Sequence, residues 1–310
     1  MRPARRRLLL AATLGLSAAC SGAPTFVPVQ QADVALDAPV VLELLPNRLP
    51  VVAVRLDDRH ERPFIIDCGA GMTFLDARVA TELGLAITEY SQPFTALGVD
   101  GHQATISRCA RLESLEVGPL ALDHVVVPLL ETDLFPAQSV AGLLGQDLLA
   151  RLPFLVDVER GRLHLLPPAT ARQGIIDYLS AADVGDGDWI VVEAKFDPCP
   201  FLPLEVEGLE PLEIEIDTGA GMMCLPQRAV DAMALEPVST GEAPGLAGMK
   251  AVRTYQLENF DLFGVRITTE VQATSDDYGL LGMDVLGQFV LLVDGPGRTI
   301  WLHRRAAGPP

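Results

Sequence analysis

The sequence predicts an all-β protein of two similar lobes, and three observations carry that prediction. A carboxylate turn occurs twice, as Asp67-Cys68-Gly69-Ala70-Gly71-Met72 and, 150 residues on, as Asp217-Thr218-Gly219-Ala220-Gly221-Met222; each follows an apolar run, Phe64-Ile65-Ile66 or Ile214-Glu215-Ile216. The flanks of the two turns repeat in the same order, so the spacing marks a tandem duplication of a domain-sized unit rather than a short solenoid period. Elsewhere, short apolar runs separated by Gly-, Pro- and Asp-rich turns dominate, the pattern of strands and hairpins.

The duplication extends well past the turns. Phe74-Leu75-Asp76-Ala77-Arg78-Val79-Ala80 follows Asp67, and Cys224-Leu225-Pro226-Gln227-Arg228-Ala229-Val230 follows Asp217. In both places a strand leads in, a short strand leaves and a short helix follows. Gly142-Leu143-Leu144-Gly145-Gln146-Asp147 is matched by Gly279-Leu280-Leu281-Gly282-Met283-Asp284, and Phe154-Leu155-Val156-Asp157 by Leu291-Leu292-Val293-Asp294.

A chain of 310 residues that is 49% hydrophobic can bury a core in each of two domains. Its net charge of −18 excludes nucleic-acid binding by phosphate neutralisation. At the N-terminus Arg2, Arg5, Arg6 and Arg7 precede an apolar run over residues 8–16, too short to span a bilayer and laid out as a secretory signal over residues 1–19. Ser17-Ala18-Ala19-Cys20 resembles the bacterial lipoprotein cleavage box. Cys20 is therefore the expected lipidation site, and the expected product is an exported lipoprotein on the periplasmic side of a bacterial membrane. Plain cleavage at the A-x-A-like site gives the alternative, a soluble periplasmic or secreted protein.

Along the chain, residues 20–37 read as a tether with Pro24 and Pro28, and residues 38–166 as the first lobe. Within it residues 40–44 and 50–56 read as strands, 57–60 as a turn, 61–66 as the strand that delivers Asp67, and 75–83 as a helix. Gly98 and Gly101 bracket a hairpin tip. Strands at 112–117 and 125–130, a helix at 147–152, and strands at 154–157 and 163–166 complete the lobe. Residues 167–188, with two prolines and Gly185-Asp186-Gly187-Asp188, read as the linker. The second lobe, 189–305, repeats the plan: strands at 189–192, 202–206, 255–262 and 265–268, a Gly-rich tip between Gly245 and Gly248, and helices at 226–234 and 284–289. Asp147 and Asp284 are expected as helix N-caps, and Asp157 and Asp294 as openers of the last hairpin turn of each lobe. Met72, Met222 and Met223 are expected to pack beneath the turns.

With Cys20 set aside, Cys68, Cys109, Cys199 and Cys224 remain, an even number in a compartment that permits disulfides. Three pairings are open. The duplication favours bridges within a lobe, and Cys199–Cys224 is the bridge expected. The histidines are scattered and no ligand spacing suggests a metal site.

A carboxylate at the end of a buried strand, followed by a short side chain and Gly, sits in a tight turn whose backbone N–H groups can reach it. If the lobes pack about an approximate two-fold axis, Asp67 and Asp217 meet at the seam. Two carboxylates at hydrogen-bonding distance share a proton, which provides one acid and one base around a water.

These residues resemble the pepsin and retropepsin superfamily of aspartic proteases, most closely its bacterial two-lobed members with retropepsin-like repeats. Asp67-Cys68-Gly69-Ala70 and Asp217-Thr218-Gly219-Ala220 are similar to the family's D-T/S-G-A turn; Leu144-Gly145 and Leu281-Gly282 close its apolar-apolar-Gly segment, which completes a psi-shaped loop around each aspartate. The resemblance covers nearly all of residues 40–302. It implies a bilobal acid-protease fold of two β-barrel lobes and a peptide or protein substrate. It also implies catalysis by Asp67 and Asp217 with a water and no cofactor, in a monomer because both lobes lie in one chain. It further implies flaps over residues 95–105 and 243–252, with Gly98, Gly101, Gly245 and Gly248 giving mobility. No Tyr stands in the first tip, which is closer to the retropepsin pattern. Two departures stand out. Cys68 replaces the Thr or Ser whose hydroxyl grips the opposite lobe, so a one-sided grip from Thr218 is expected; Gly71 and Gly221 stand where relatives often carry Ser or Thr. The rival reading is a peptide-binding module of the same fold without turnover. A sugar hydrolase using the same carboxylates is disfavoured, since aromatic residues make up only 5% of the chain.

Overall fold

The computed structural model of the protein describes residues 25–98, 101–137, 139–182, 184, 189–206, 209–245 and 248–304. The predicted signal, Cys20 and parts of the tether, linker and both hairpin tips lie outside these residues. Three sheets make up the described chain.

The first sheet belongs to the first repeat. Val51–Leu56 and His60–Ile66 form a tight hairpin, with Val51 opposite Ile65 and Leu56 opposite His60. Asp57 and Asp58 take the positive φ (52° and 56°) of a tight turn, which Asp tolerates. Six strands close into a ring: Leu120–Leu130, Phe74–Asp76, Gly142–Leu144, His60–Ile66, Val51–Leu56 and Gln103–Val117, the last pairing back onto the first from Cys109 opposite Pro128 to Val117 opposite Leu120. Ala86–Leu97 extends Gln103–Val117 into a long hairpin outside the ring.

The second repeat builds an open eight-stranded sheet rather than the expected second barrel. Its order is Lys195–Phe196, Pro200–Leu204, Leu212–Ile216, Gly279–Leu281, Met223–Pro226, Val265–Thr274, Gly248–Leu262, Pro237–Gly245. The reason lies at one strand end. In the first repeat Arg55 and Leu56 pair with Glu116 and Leu115 to close the ring. Their counterparts Glu205 and Val206 lie past the end of Pro200–Leu204, a strand in which Pro203 also removes a ladder donor.

A third sheet joins the repeats. Its order is Ile190–Glu193, Thr299–Arg304, Phe289–Asp294, Pro153–Asp157, Arg162–Leu165, Val40–Glu43, with Phe154 opposite Val293 and Leu155 opposite Leu292 at the centre. Both central strands are buried throughout. Alternate residues serve opposite faces: Phe154, Val156, Leu291 and Val293 join the main core, while Leu155 and Leu292 join a smaller cluster with Trp301. That cluster is covered by a helix the sequence reading did not assign, Arg172–Ala181, whose Ile175 and Leu179 face it one turn apart. Burying each contributes about 1.5–3 kcal/mol. The four predicted helices occur as Ala77–Glu82, Gln146–Leu149, Gln227–Ala232 and Met283–Leu286, joined by a further short one at Leu134–Ala137.

Candidate active site

The same local device holds each carboxylate turn. His60–Ile66 runs parallel to Gly142–Leu144, and the Asp67 N–H donates to Leu144 O at 3.0 Å. Leu212–Ile216 runs parallel to Gly279–Leu281, and the Asp217 N–H donates to Leu281 O at 3.1 Å. The loops are closed by Gln146 N–H on Ala70 O and Met283 N–H on Ala220 O, both 2.8 Å. A Cβ on Gly145 would lie 2.3 Å from Met72 O, and one on Gly282 2.5 Å from Met222 O, so both positions exclude a side chain.

The turns then fold onto their own carboxylates. Asp67 Oδ1 accepts the Gly69 and Ala70 N–H groups, each at 3.0 Å; Asp217 Oδ1 accepts those of Gly219 at 2.8 Å and Ala220 at 3.1 Å. The two carboxyls lie close enough for each to act on the other's ionisation. Each is walled by the opposite glycine: a Cβ on Gly69 would lie 2.3 Å from Asp217 Cγ, and one on Gly219 2.3 Å from Asp67 Cγ. Burial raises the pKa of both, and Asp67 rises well above its ordinary value because the Asp217 charge and side chain add to burial against the pull of the Gly69 and Ala70 N–H groups. Both residues keep partial exposure. The arrangement is a close pair of partly exposed carboxyls, in which one shared proton costs less than two adjacent charges.

The seam beneath the pair is gripped from both sides, which corrects the expected one-sided grip. Thr218 Oγ1 donates to Ile66 O at 2.6 Å and accepts the Cys68 N–H at 3.0 Å. Cys68 Sγ donates to Ile216 O at 3.0 Å. A thiol is a weaker donor than a hydroxyl, but this one is fully buried, and burial keeps it protonated by pushing its pKa far up. Gln146 Nε2 adds a bond to Cys68 O at 2.8 Å.

A family model described as Aspartyl protease matches the chain over residues 52–148 and 202–285, each segment holding one turn and its parallel partner strand. The chain belongs to the aspartyl protease family. No curated protein sequence matches it.

In this aspartyl protease family member the residues around the dyad differ between repeats. A Cβ on Gly71 would meet Pro198 Cγ at 3.0 Å, whereas at Gly221 it would find open space. Asp147 is not an N-cap: it lies in the first turn of its helix, buried, and Oδ1 accepts both the Thr73 N–H at 2.9 Å and the Thr73 hydroxyl at 2.7 Å. Asp284 likewise sits inside its helix and accepts the Thr269 hydroxyl at 3.0 Å. Asp157 and Asp294 do open turns, accepting the Arg160 and Gly297 N–H groups. Met223 is fully buried, as expected, while Met72 and Met222 are only partly so.

The expected Cys199–Cys224 bridge is not formed: among the described residues Cys68, Cys109, Cys199 and Cys224 are all buried thiols outside any disulfide. Cys199 opens the strand Pro200–Leu204, which lies three places from Met223–Pro226 in the sheet order, about 14 Å at ordinary strand spacing and beyond disulfide reach. Its thiol instead donates across the seam to Gly69 O at 3.1 Å. Sequence reasoning missed this contact, and also Gln146 and Thr73. A usable signal existed for Gln146, which stands in the repeated L-L-G segment opposite Met283.

The two glycine-rich tips approach one another. Gly98 N–H donates to His102 O at 2.7 Å to close the first, and Gly101 takes φ +70°; Gly245 pairs with Gly248, at φ +116°, in the second. His102 Nδ1 lies 3.7 Å from where a Gly245 Cβ would be. Gly248 also lines a cavity of about 940 Å³ with Gln103, Thr105 and Arg108 of the first hairpin.

Proposed function

We propose that the chain is an aspartic endopeptidase in which Asp67 and Asp217 activate a water at the interface of two lobes related by an approximate two-fold axis. The observation that carries this reading is the mutual packing of the turns, each carboxyl held by its own N–H pair and walled by the other turn's glycine. With the proton on Asp67, the Asp217 carboxylate takes a proton from the water as its oxygen bonds the amide carbon. The Asp67 carboxyl hydrogen-bonds the carbonyl oxygen. Return of a proton to the nitrogen breaks the C–N bond and releases acid and amine, so one water is consumed per bond cut. The paired tips serve as flaps that exclude bulk water.

The signal-like residues 1–19 and Cys20 support an exported, lipid-anchored protein acting as a monomer on peptide or protein substrates. Soluble protein lacking residues 1–20, offered a mixed peptide library from about pH 3 to pH 7, should cut it. Asp217→Asn should lower the rate about 10³–10⁴-fold. Peptides retained uncut by both proteins would instead favour the binding module.

A further inference from the structure

The turn at residues 197–199 brings an element of the second repeat onto the Asp67 turn. Asp197 N–H donates to Cys199 O at 3.0 Å, Pro198 walls Gly71, and Cys199, only 5% exposed, reaches Gly69 O with its thiol at 3.1 Å. Behind the thiol stands Glu215, 4% exposed on the strand that delivers Asp217; burial first and the Glu215 carboxyl second push the Cys199 pKa up, which keeps the proton on the thiol that Gly69 O accepts. The repeat shows how unusual this pair is. Phe201 opposes Glu215 as Val51 opposes Ile65, so Cys199 corresponds to Leu49 and Glu215 to Ile65, both buried and apolar. A carboxyl in a site that its own duplicate fills with isoleucine is costly unless polar neighbours hold it.

The position of the contact indicates its use. Gly69 O belongs to the same planar peptide unit as the Ala70 N–H, which donates to Asp67 Oδ1 at 3.0 Å. A bond on one side of that plane sets the direction of the donor on the other. Leu49 has no polar atom and can offer no such bond to the Asp217 turn. We propose that Cys199, backed by Glu215, is a positioning residue that fixes the Gly69–Ala70 peptide and thereby the carboxyl of Asp67, making the two halves of the dyad inequivalent. The ionisable groups around the thiol are Glu215, Asp67 and Cys68. The inference deepens the endopeptidase reading and rests on it for its kinetic consequences.

Cys199→Ala removes the donor and Cys199→Ser retains one. The Ala variant should lose about 10-fold in kcat with KM within about twofold. Weakening the Ala70 N–H bond favours protonated Asp67, so the alkaline limb of the pH profile should move up by about half a unit. Cys199→Ser should recover most of both changes, although both variants lose the same packing sulfur. The Asp67 13C-carboxyl resonance, assigned through Asp67→Asn, should titrate higher in the Ala variant and near the parent value in the Ser variant. If Cys199→Ala does not fold, Cys199→Val carries the same comparison.

A parent protein that leaves all peptides uncut while the Asp67 titration still moves would sink the endopeptidase reading and keep the positioning role. A parent that cuts, with kcat, pH profile and titration unchanged in the variant, would overturn the positioning role alone. Equal losses in the Ser and Ala variants would also overturn it, because packing alone would then account for them.

Discussion

The two repeats carry one turn on unequal scaffolds. The first closes its strands into a six-stranded ring, ties Asp147 to Thr73 and supports Cys68 O with Gln146; the second stays open, has Met223 and Met283 at the corresponding places, and sends Cys199 across to the Asp67 turn. What the repeats keep in common is confined to a few contacts: the glycine against the opposite aspartate, the N–H pair on each carboxylate, and the parallel strand behind it. The common set is what a shared-proton pair requires geometrically. The divergent set acts on how firmly each carboxyl is held and how readily it ionises.

The sharpest test of the common set is the pair Gly69→Ala and Gly219→Ala. A Cβ at 2.3 Å from the opposite Asp Cγ must push that carboxyl by about an ångström, so each substitution should lower turnover about 100-fold or more. The two losses should be similar, and a peptide-cleavage assay that finds one repeat tolerant would break the equivalence at the dyad. One position outward the symmetry should fail. Gly71→Ala meets Pro198, whereas Gly221→Ala enters open space and should leave turnover nearly intact.

The common set was legible in the sequence because it is local. Asp-x-Gly-Ala after an apolar run and Leu-Leu-Gly beginning 76 or 63 residues later are readable without knowing the fold. The sheet that joins the repeats was not. Pro153–Asp157 and Phe289–Asp294 are apolar on both faces, so their alternation names no partner, and the choice of each other is made by the whole packed core. The helix Arg172–Ala181 was hidden by Gly174 and by the prolines at 167 and 168, which read as linker until its two apolar residues find Trp301. The role of Cys199 was hidden more deeply, since an even cysteine count suggests bridges and nothing local reveals that its neighbour in space is Gly69 O.

The divergent set can be sharpened by pH. Burial pushes Asp147 up to about 6 from an unfolded value of 3.8, against the pull of its Thr73 bonds. Below pH 3.8 both states are protonated and the group is neutral in its effect. Between there and about 6 only the unfolded chain releases the proton, so stability falls as pH rises through that window and levels off above it. Across the window the loss is about 3 kcal/mol at most. Asp147→Asn keeps an acceptor for Thr73 and should flatten this slope in chemical-denaturation series. Asp284, also raised by burial but more exposed, should give a shallower slope of the same sign in its Asn variant. Equal slopes would mean that the Thr73 tie does not distinguish the repeats.

The smallest expected difference lies in the grip, where the sequences diverge most visibly. Thr218→Val strands Ile66 O and the Cys68 N–H in a buried seam, and should destabilise the protein by about 2–3 kcal/mol. Cys68→Ala strands Ile216 O and removes a weaker donor, for a loss of about 1 kcal/mol from the bond itself. Cys68→Thr decides between two accounts of the thiol. If Cys68 is a compromised copy of Thr218, the added hydroxyl should raise the unfolding midpoint and leave turnover unchanged. If the seam has adjusted to sulfur, the shorter hydroxyl reach should lower the midpoint. The 3.0 Å contact from Cys68 Sγ to Ile216 O is already close for sulfur and favours the second account, in which the cysteine half of the grip is adapted rather than weakened.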